Sequence, residues 1–127
     1  MKIEHFALNV PDPKAMAAWY VQHCGLRVAF KLDEAPHTHF LADTGNHVLV
    51  EIYRNEKDPL PDYSRQHPLR MHLAFTVGDP VSEQRRLEAA GAKYFEEVKL
   101  PDGSHLITLR DPWGIPIQLC KRGRPML

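Results

Sequence analysis

The sequence predicts an α+β fold built from two tandem β-α-β-β-β modules. Three observations predict this fold: an internal repeat, strand-like segments whose residues alternate in polarity, and an Asp-Pro pair before each of two helical segments. The repeat is visible in two separate blocks. Segment 3–13 (IEHFALNVPDP) is similar to segment 71–80 (MHLAFTVGDP), and segment 43–53 (DTGNHVLVEIY) is similar to segment 111–121 (DPWGIPIQLCK).

A single offset relates both blocks of the repeat. His5 and His72 are 67 positions apart, and so are Glu51 and Gln118. Because a shared offset in two separate blocks is hard to obtain by chance, we expect a duplicated module. The expected organisation is one domain, 1–127, with two repeats, about 1–57 and 69–122, and a polar, proline-rich linker, 58–68.

Each module is expected to begin with a strand that continues into a helix. The first strands, near 2–10 and 71–77, alternate in polarity as half-buried strands do. An aspartate then caps each helix and a proline occupies its first turn, while a glycine ends it. The expected helix boundaries are Asp12-Pro13 with Gly25, and Asp79-Pro80 with Gly91.

Three further strands are expected in each module, separated by turns rich in glycine, asparagine and aspartate. These strands are 26–32, 37–42 and 47–54 in the first module, and 93–100, 105–110 and 115–121 in the second. Side chains alternate between the two faces of a strand. His5 and Glu51 are therefore expected opposite the richer apolar face, and His72 and Gln118 occupy the matching positions of the second module.

Four polar residues at matching positions of two repeats indicate a divalent metal site. A carboxylate at Glu51, between Val50 and Ile52, is costly to bury unless it is paired or bound to a metal. Two imidazoles, one carboxylate and one amide oxygen suit a borderline divalent ion, whereas a structural zinc site would more often use cysteine. The predicted ligands of one ion are His5, Glu51, His72 and Gln118. Taken one at a time, each of these residues could equally be an ordinary strand residue that binds no metal.

Composition excludes several other classes of function. The 16 basic and 16 acidic residues balance, which argues against a nucleic-acid footprint or a polybasic membrane patch. No apolar run approaches the roughly 20 residues of a membrane span, and the N-terminal segment lacks the features of a signal peptide. Cys24 and Cys120 form no CxxC motif and are expected as reduced, buried residues. We therefore expect a cytoplasmic protein that binds neither nucleic acid nor membranes.

Four segments, HFALNVPDP, VLVEIYRN, MHLAFTV and LRDPWGIPIQL, resemble the vicinal oxygen chelate superfamily. This superfamily includes glyoxalase I, methylmalonyl-CoA epimerase, fosfomycin-resistance enzymes, bleomycin-resistance proteins and extradiol dioxygenases. The resemblance covers nearly the whole chain, and it implies paired βαβββ modules whose curved sheets enclose a metal cleft. It also implies that one divalent ion (nickel, zinc, manganese or iron) is held at the family's metal positions, which fall on His5, Glu51, His72 and Gln118.

The ligand order is most similar to that of bacterial glyoxalase I, with two departures. The fourth ligand of glyoxalase I is a glutamate that also transfers protons, and here that position holds Gln118. An arginine that meets glutathione is replaced by Asn9, although Asn55 matches another glutathione-contacting position. Use of glutathione therefore stays an open question.

The resemblance implies a metal-dependent lyase or isomerase that stabilises an enediolate or oxyanion of a small oxygenated substrate. Glu51 would be the base, because Gln118 cannot accept a proton in the working pH range. A non-catalytic, sequestering dimer of the bleomycin-resistance kind and a dioxygenase-type member are the alternatives. Members of the superfamily commonly form dimers, and exposed sheet edges can pair with a second chain, so a homodimer is expected. The expected cleft-lining and substrate-binding residues are Asn9, His39, His47, Tyr53, Asn55, Arg70, His105 and Trp113.

Overall fold

The structure is a computed structural model that describes residues 1–46 and 49–126. The expectation for His47 lies outside the described residues. The chain divides into two compact units, Met1–Pro61 and Asp62–Leu127, and each unit contains one copy of the repeat. The helices and strands of the first unit are β1 (His5–Asn9), α1 (Pro13–Cys24), β2 (Arg27–Lys31), β3 (His39–Ala42) and β4 (Leu49–Tyr53). Those of the second unit are β5 (Leu73–Thr76), α2 (Pro80–Ala89), β6 (Lys93–Lys99), β7 (His105–Arg110) and β8 (Pro116–Lys121).

Both units contain the same four-stranded mixed sheet. The strand order is β1-β4-β3-β2 in the first unit and β5-β8-β7-β6 in the second. The parallel pair in each sheet has the same register, since Ala7 lies opposite Glu51 and Ala74 lies opposite Gln118. A register shift interrupts both outer antiparallel pairs, between Val28 and Phe30 and at the corresponding place in β6. The predicted α+β fold of two tandem βαβββ modules is therefore confirmed.

Each helix begins where its Asp-Pro pair predicts. The Asp12 carboxylate accepts a hydrogen bond from the backbone N–H of Ala15 at 2.9 Å. The Asp79 carboxylate accepts from the N–H groups of Val81 and Ser82 at 3.1 and 3.2 Å. These bonds satisfy backbone donors that have no partner inside the helix. Among the described residues, no helix is both long enough and apolar enough to cross a membrane.

One face of each sheet packs against the helix of its own unit. In the first unit, Leu8 and Ile52 lie opposite each other on this face and are 5% and 1% exposed. In the second unit, Ile107 and Leu119 are a buried pair of the same kind. Burial of such side chains removes apolar surface from water, at roughly 25 cal/mol per Å². The opposite face of each sheet carries the polar residues and is called the polar face below.

The segment predicted as a linker is partly built into the second unit. Residues 62–70 contain two 3₁₀ turns, Tyr63–Arg65 and Pro68–Arg70, in which Tyr63 and Pro68 are buried. Apolar anchors of this kind are not expected in a flexible linker. The second repeat therefore includes a short N-terminal extension that packs on its own sheet.

Gly114 allows this extension to approach the turn before β8. Its φ is +88°, and a Cβ at this position would lie 3.0 Å from both the backbone N and the Cβ of Ser64. We expect Gly114→Ala to lower the free energy of unfolding by about 2–3 kcal/mol, since left-handed strain adds to crowding. The matched control is Gly25→Ala, which has φ of +69° but open space around the new Cβ, and should cost about 1 kcal/mol. Equal losses in urea unfolding would contradict the close approach.

Candidate functional site

The polar face of the first unit holds a histidine–carboxylate pair. His5 Nε2 lies 3.2 Å from Glu51 Oε2, and the two side chains are 36% and 18% exposed. The other ring nitrogen of His5, Nδ1, is bonded to the carboxylate of Glu4. This hydrogen bond raises the pKa of His5, and the charges of Glu4 and Glu51 raise it further against the opposing effect of burial. The sequence prediction that His5 and Glu51 share one face is confirmed.

Aromatic side chains accompany this pair on the polar face. Phe40 lies opposite Glu51 across the β3–β4 pair, and Phe30 lies opposite Phe40 across the β2–β3 pair. The His5 ring contacts the Phe40 ring edge to face, with 5.5 Å between the centroids. An aromatic row beside a partly buried carboxylate is a mixed apolar and charged surface, which is typical of small-molecule sites.

A groove of about 770 Å³ opens beside Glu51 in the first unit. Its lining includes Tyr53 at the end of β4 and Asn55 just after it, together with Pro36 and Thr38 from the loop before β3. Two of the predicted substrate-binding residues, Tyr53 and Asn55, therefore line the same groove as Glu51. A groove of this size can hold a small organic molecule.

Asn9 lies on the polar face, but its side chain is bonded to the backbone of Asn55. Its Nδ2 donates to the Asn55 carbonyl at 3.2 Å, and its Oδ1 accepts from the Asn55 N–H at 2.9 Å. The Asn55 side chain in turn bonds Asp58 at 2.9 Å and the N–H of Lys57 at 3.0 Å. Both asparagines therefore hold the chain after β4 in place, which shapes the wall of the groove.

In the second unit, His72 lies immediately before β5 and is held by a backbone carbonyl. Its Nδ1 lies 3.0 Å from the carbonyl oxygen of Pro68, the buried residue of the second 3₁₀ turn. Because a carbonyl only accepts, Nδ1 of His72 is the donor of this bond, and in the neutral ring the lone pair is on Nε2. Histidines that bind metals are commonly oriented by this kind of bond.

Gln118 lies in a short chain of hydrogen bonds on the polar face of the second unit. Its Nε2 donates to Thr108 Oγ1 at 3.2 Å, and its Oε1 accepts from Cys120 Sγ at 3.3 Å. Burial raises the pKa of the Cys120 thiol, so the sulfur stays protonated and acts as a weak donor. An amide oxygen has two lone pairs, and one of them stays available on Gln118.

The strand register corrects the placement of two predicted cleft residues. His39 lies opposite Ile52, and His105 lies in β7 two positions before the buried Ile107. Both histidines therefore face the helix side of their sheets, away from Glu51 in the first unit and from Gln118 in the second. His105 instead bonds Glu97 at 2.6 Å, and this bond, with help from Lys99, lowers the pKa of Glu97.

Arg70 and Trp113 lie outside the polar strands of the second unit. Arg70 is exposed at the end of the second 3₁₀ turn, where its backbone N–H bonds the His67 carbonyl at 2.9 Å. Trp113 is half-buried in the turn before β8, and its backbone N–H donates to the Asp111 carboxylate at 2.9 Å. The Asp111 carboxylate also accepts from the N–H of Ile115 at 2.8 Å, which fixes the turn.

The donor chemistry of both units fits a divalent metal ion. Each unit supplies one histidine whose Nδ1 is held by an oxygen, and one oxygen donor from the middle of its fourth strand. Among the described residues, no three or more His, Cys, Asp or Glu side chains form a group able to hold a metal. Each unit therefore provides two of the four predicted donors.

Comparison with known proteins establishes the family. The profile of the Glyoxalase/Bleomycin resistance protein/Dioxygenase superfamily matches residues 2–119, which is nearly the whole chain. The chain belongs to this superfamily. No curated protein sequence matches this superfamily member with significant similarity.

Solved structures, among them members of the same superfamily, share the fold of this chain. A member from Sphaerobacter thermophilus is 16% identical, with a TM-score of 0.73 and coverage of 94% of this chain and 96% of its own. TnmS3, an antibiotic binding protein from Streptomyces, is 18% identical, with a TM-score of 0.72 and 96% of each chain covered. Lactoylglutathione lyase from Agrobacterium tumefaciens is 20% identical, with a TM-score of 0.63 and coverage of 93% and 91%. At these identities the likeness concerns the fold alone.

Sequence reasoning missed the partners that orient the predicted donors. Glu4 holds His5, the Pro68 carbonyl holds His72, and Thr108 holds Gln118. Glu4 could have been noticed as the neighbour of His5 in the chain. The Pro68 and Thr108 contacts depend on the 3₁₀ turn and on strand register, which the residues themselves do not reveal.

Proposed function

We propose that this chain is a divalent-metal-dependent enzyme of the glyoxalase superfamily, of the lyase or isomerase type. The observation that carries the proposal is the His5–Glu51 pair at 3.2 Å on the polar face, beside an open groove. The proposed ligands are His5 and Glu51 from one repeat and His72 and Gln118 from the other. The two pairs would combine within one chain or between two chains of a homodimer.

The bound metal would supply a Lewis acid that stabilises negative charge on an oxygen of the substrate. Glu51 is the proposed general base, because it is the carboxylate of the proposed ligand set and lines the groove. Its neighbours Phe40 and Ala7 on the adjacent strands offer it no hydrogen-bonding side chain group. The polar group beside the carboxylate is His5 Nε2, at 3.2 Å, and the proposed role of the carboxylate is to take a proton from a carbon next to a carbonyl of the substrate.

The groove beside Glu51 supports a small oxygenated substrate. Tyr53 offers a hydroxyl group and an aromatic ring, and Thr38 offers a second hydroxyl group nearby. The backbone on this side is fixed by the bonds between Asn9 and Asn55, so the groove is formed before a substrate enters. Preformed sites lose less free energy on binding than sites that must be ordered.

Metal content tests the proposal directly. Elemental analysis after mild purification should find about one divalent ion per chain, among nickel, zinc, manganese and iron. Two imidazoles, one carboxylate and one amide oxygen are donors that suit these ions. The His5→Ala/His72→Ala variant should hold none. The matched control is His23→Ala/His105→Ala, which removes two histidines outside the proposed set and should keep the metal, since His105 faces the helix side of its sheet.

A different result would favour the second candidate function. If the wild type holds no metal even after reconstitution with these four ions, the polar residues are not ligands. The aromatic row and the groove would then support a protein that binds and sequesters a small molecule, and TnmS3, which has a similar fold, is an antibiotic binding protein. That alternative would be tested by titrating the protein with aromatic antibiotics and measuring the quenching of its tryptophan fluorescence.

A further inference from the structure

The two repeats arrange their proposed metal donors differently. In the first unit, Oε2 of Glu51 lies 3.2 Å from Nε2 of His5, so the two proposed donor atoms are adjacent. Two ligands of one ion, each about 2.1 Å from it and about 90–110° apart, are separated from each other by about 3.0–3.4 Å. The His5–Glu51 pair therefore already has the separation that a shared ion requires.

Glu4 orients the histidine of this pair. Its carboxylate is bonded to Nδ1 of His5, and because an ionised carboxylate only accepts, Nδ1 is the donor. In the neutral ring the lone pair is then on Nε2, the atom that faces Glu51. The Phe40 ring also contacts the imidazole edge to face, with 5.5 Å between the centroids. The His5 ring is thus held with its lone pair toward the second donor.

The strand order explains why Glu51 turns toward His5. Strand β4 lies between β1 and β3 in the sheet of the first unit. The residue opposite Glu51 on β3 is Phe40, which has no hydrogen-bonding side chain group. The polar partner on the other side is His5 of β1. The carboxylate therefore lies on the β1 side of its strand, beside the histidine.

The corresponding residue of the second unit is bonded to the opposite side. Strand β8 lies between β5 and β7, and His72 directly precedes β5. Thr108 lies opposite Gln118 on β7, and it is 2% exposed. Nε2 of Gln118 donates to its Oγ1 at 3.2 Å, so the amide is held on the side of β8 away from β5. His72 Nδ1 is bonded to the neutral carbonyl of Pro68, and not to a carboxylate.

We propose that the first repeat is the stronger half of the metal site, and that Gln118 reaches the ion only when its bond to Thr108 breaks. This inference rests on the proposed function. Glu4 is the positioning residue of the stronger half, because a carboxylate behind a metal-binding imidazole fixes the ring and makes it a better donor. Thr108 restrains the weaker half. An oxygen of the substrate would then compete with Gln118, and not with Glu51, for a place on the ion.

The test measures zinc affinity in the full chain, stripped of metal and titrated in competition with a chromophoric chelator. Glu4→Ala should raise the Kd for zinc about tenfold, the lower end of the range for partners of metal-bound histidines, since Glu4 is exposed. Glu4→Gln keeps an oxygen that accepts from Nδ1 and should recover part of this loss. The control Glu34→Ala removes another exposed glutamate of the first unit and should change the Kd by less than about threefold.

A variant of the second unit should act in the opposite direction. Thr108→Val keeps the branched shape of the side chain but removes the hydroxyl group that holds Gln118. Zinc binding should tighten about fivefold, since one neutral hydrogen bond no longer has to break. The matched control is Thr76→Val, which removes a hydroxyl group from β5 on the same face and should leave the Kd unchanged.

Three results would overturn the inference: an unchanged Kd in Glu4→Ala, an equal loss in Glu34→Ala, or weaker zinc binding in Thr108→Val. An equal loss in the control would mean that only the overall charge matters. A wild type that binds none of zinc, nickel, manganese and iron would end the proposed function and this inference together. The wild-type titration alone distinguishes that failure from the other three.

Discussion

The variant Glu51→Gln should lower kcat by about 10²- to 10⁴-fold while keeping the bound metal. The amide has nearly the same shape as the carboxylate and can still contact His5 Nε2, which lies 3.2 Å from the native Oε2. It can also donate an oxygen to a metal, but it cannot accept a proton from a carbon acid. Turnover should be measured on the first active substrate in a screen of 2-oxoaldehyde thiol adducts and acyl-CoA epimers.

Glu56→Gln is the matched control for this prediction. Glu56 lines the same groove and is exposed, so its substitution removes one negative charge without touching the His5–Glu51 pair. We expect it to change kcat by less than about threefold, since exposed charges are well screened. Full activity of Glu51→Gln would end the general-base assignment. Loss of activity together with loss of metal would assign Glu51 to binding alone.

The repeat made the fold predictable from the sequence. The offset of 67 residues that relates His5 to His72 also relates the strand registers, since Phe6 pairs with Val50 and Leu73 pairs with Ile117. Strand ends were less predictable. His37 was expected to begin a strand but has φ of +58° and lies in a loop held by its bond to Asp33. A side-chain bond to a loop carbonyl of this kind depends on the folded conformation of the loop, so the sequence does not reveal it.

The candidate site was predictable where one face of a strand is polar. In β4, Glu51 interrupts an apolar pattern, and the phase of the alternation then fixes its face. In β3 both faces carry apolar residues, so the sequence HFLA does not show which of its side chains face the helix. Only pairing with Ile52 reveals that His39 faces the helix. The same ambiguity in β7 concealed Thr108, whose contact with Gln118 depends on register.

Arg110 illustrates a role that no motif indicates. Its guanidinium donates to three backbone carbonyls of the second unit, those of Tyr63, Gln66 and Gly114, at 2.8, 2.7 and 3.1 Å. Its Cζ also lies 5.4 Å from the centroid of the Phe95 ring. A planar group with several donors can hold several oxygens at once, which a lysine ammonium at the end of a flexible chain does less well. Arg110 therefore fastens the N-terminal extension of the second unit to the turn before β8.

We expect Arg110→Ala to lower the free energy of unfolding by about 3 kcal/mol, since it leaves three partly buried carbonyls without their charged donor. Arg110→Lys should recover less than half of this loss, because one ammonium cannot reach all three oxygens. The exposed Arg85→Ala on α2 is the control and should stay within about 0.5 kcal/mol of the wild type. Urea unfolding measures the loss, and hydrogen exchange shows where it arises. Protection should fall first in 62–70 if Arg110 fastens this segment, whereas uniform loss across the second unit would assign Arg110 to the core as a whole.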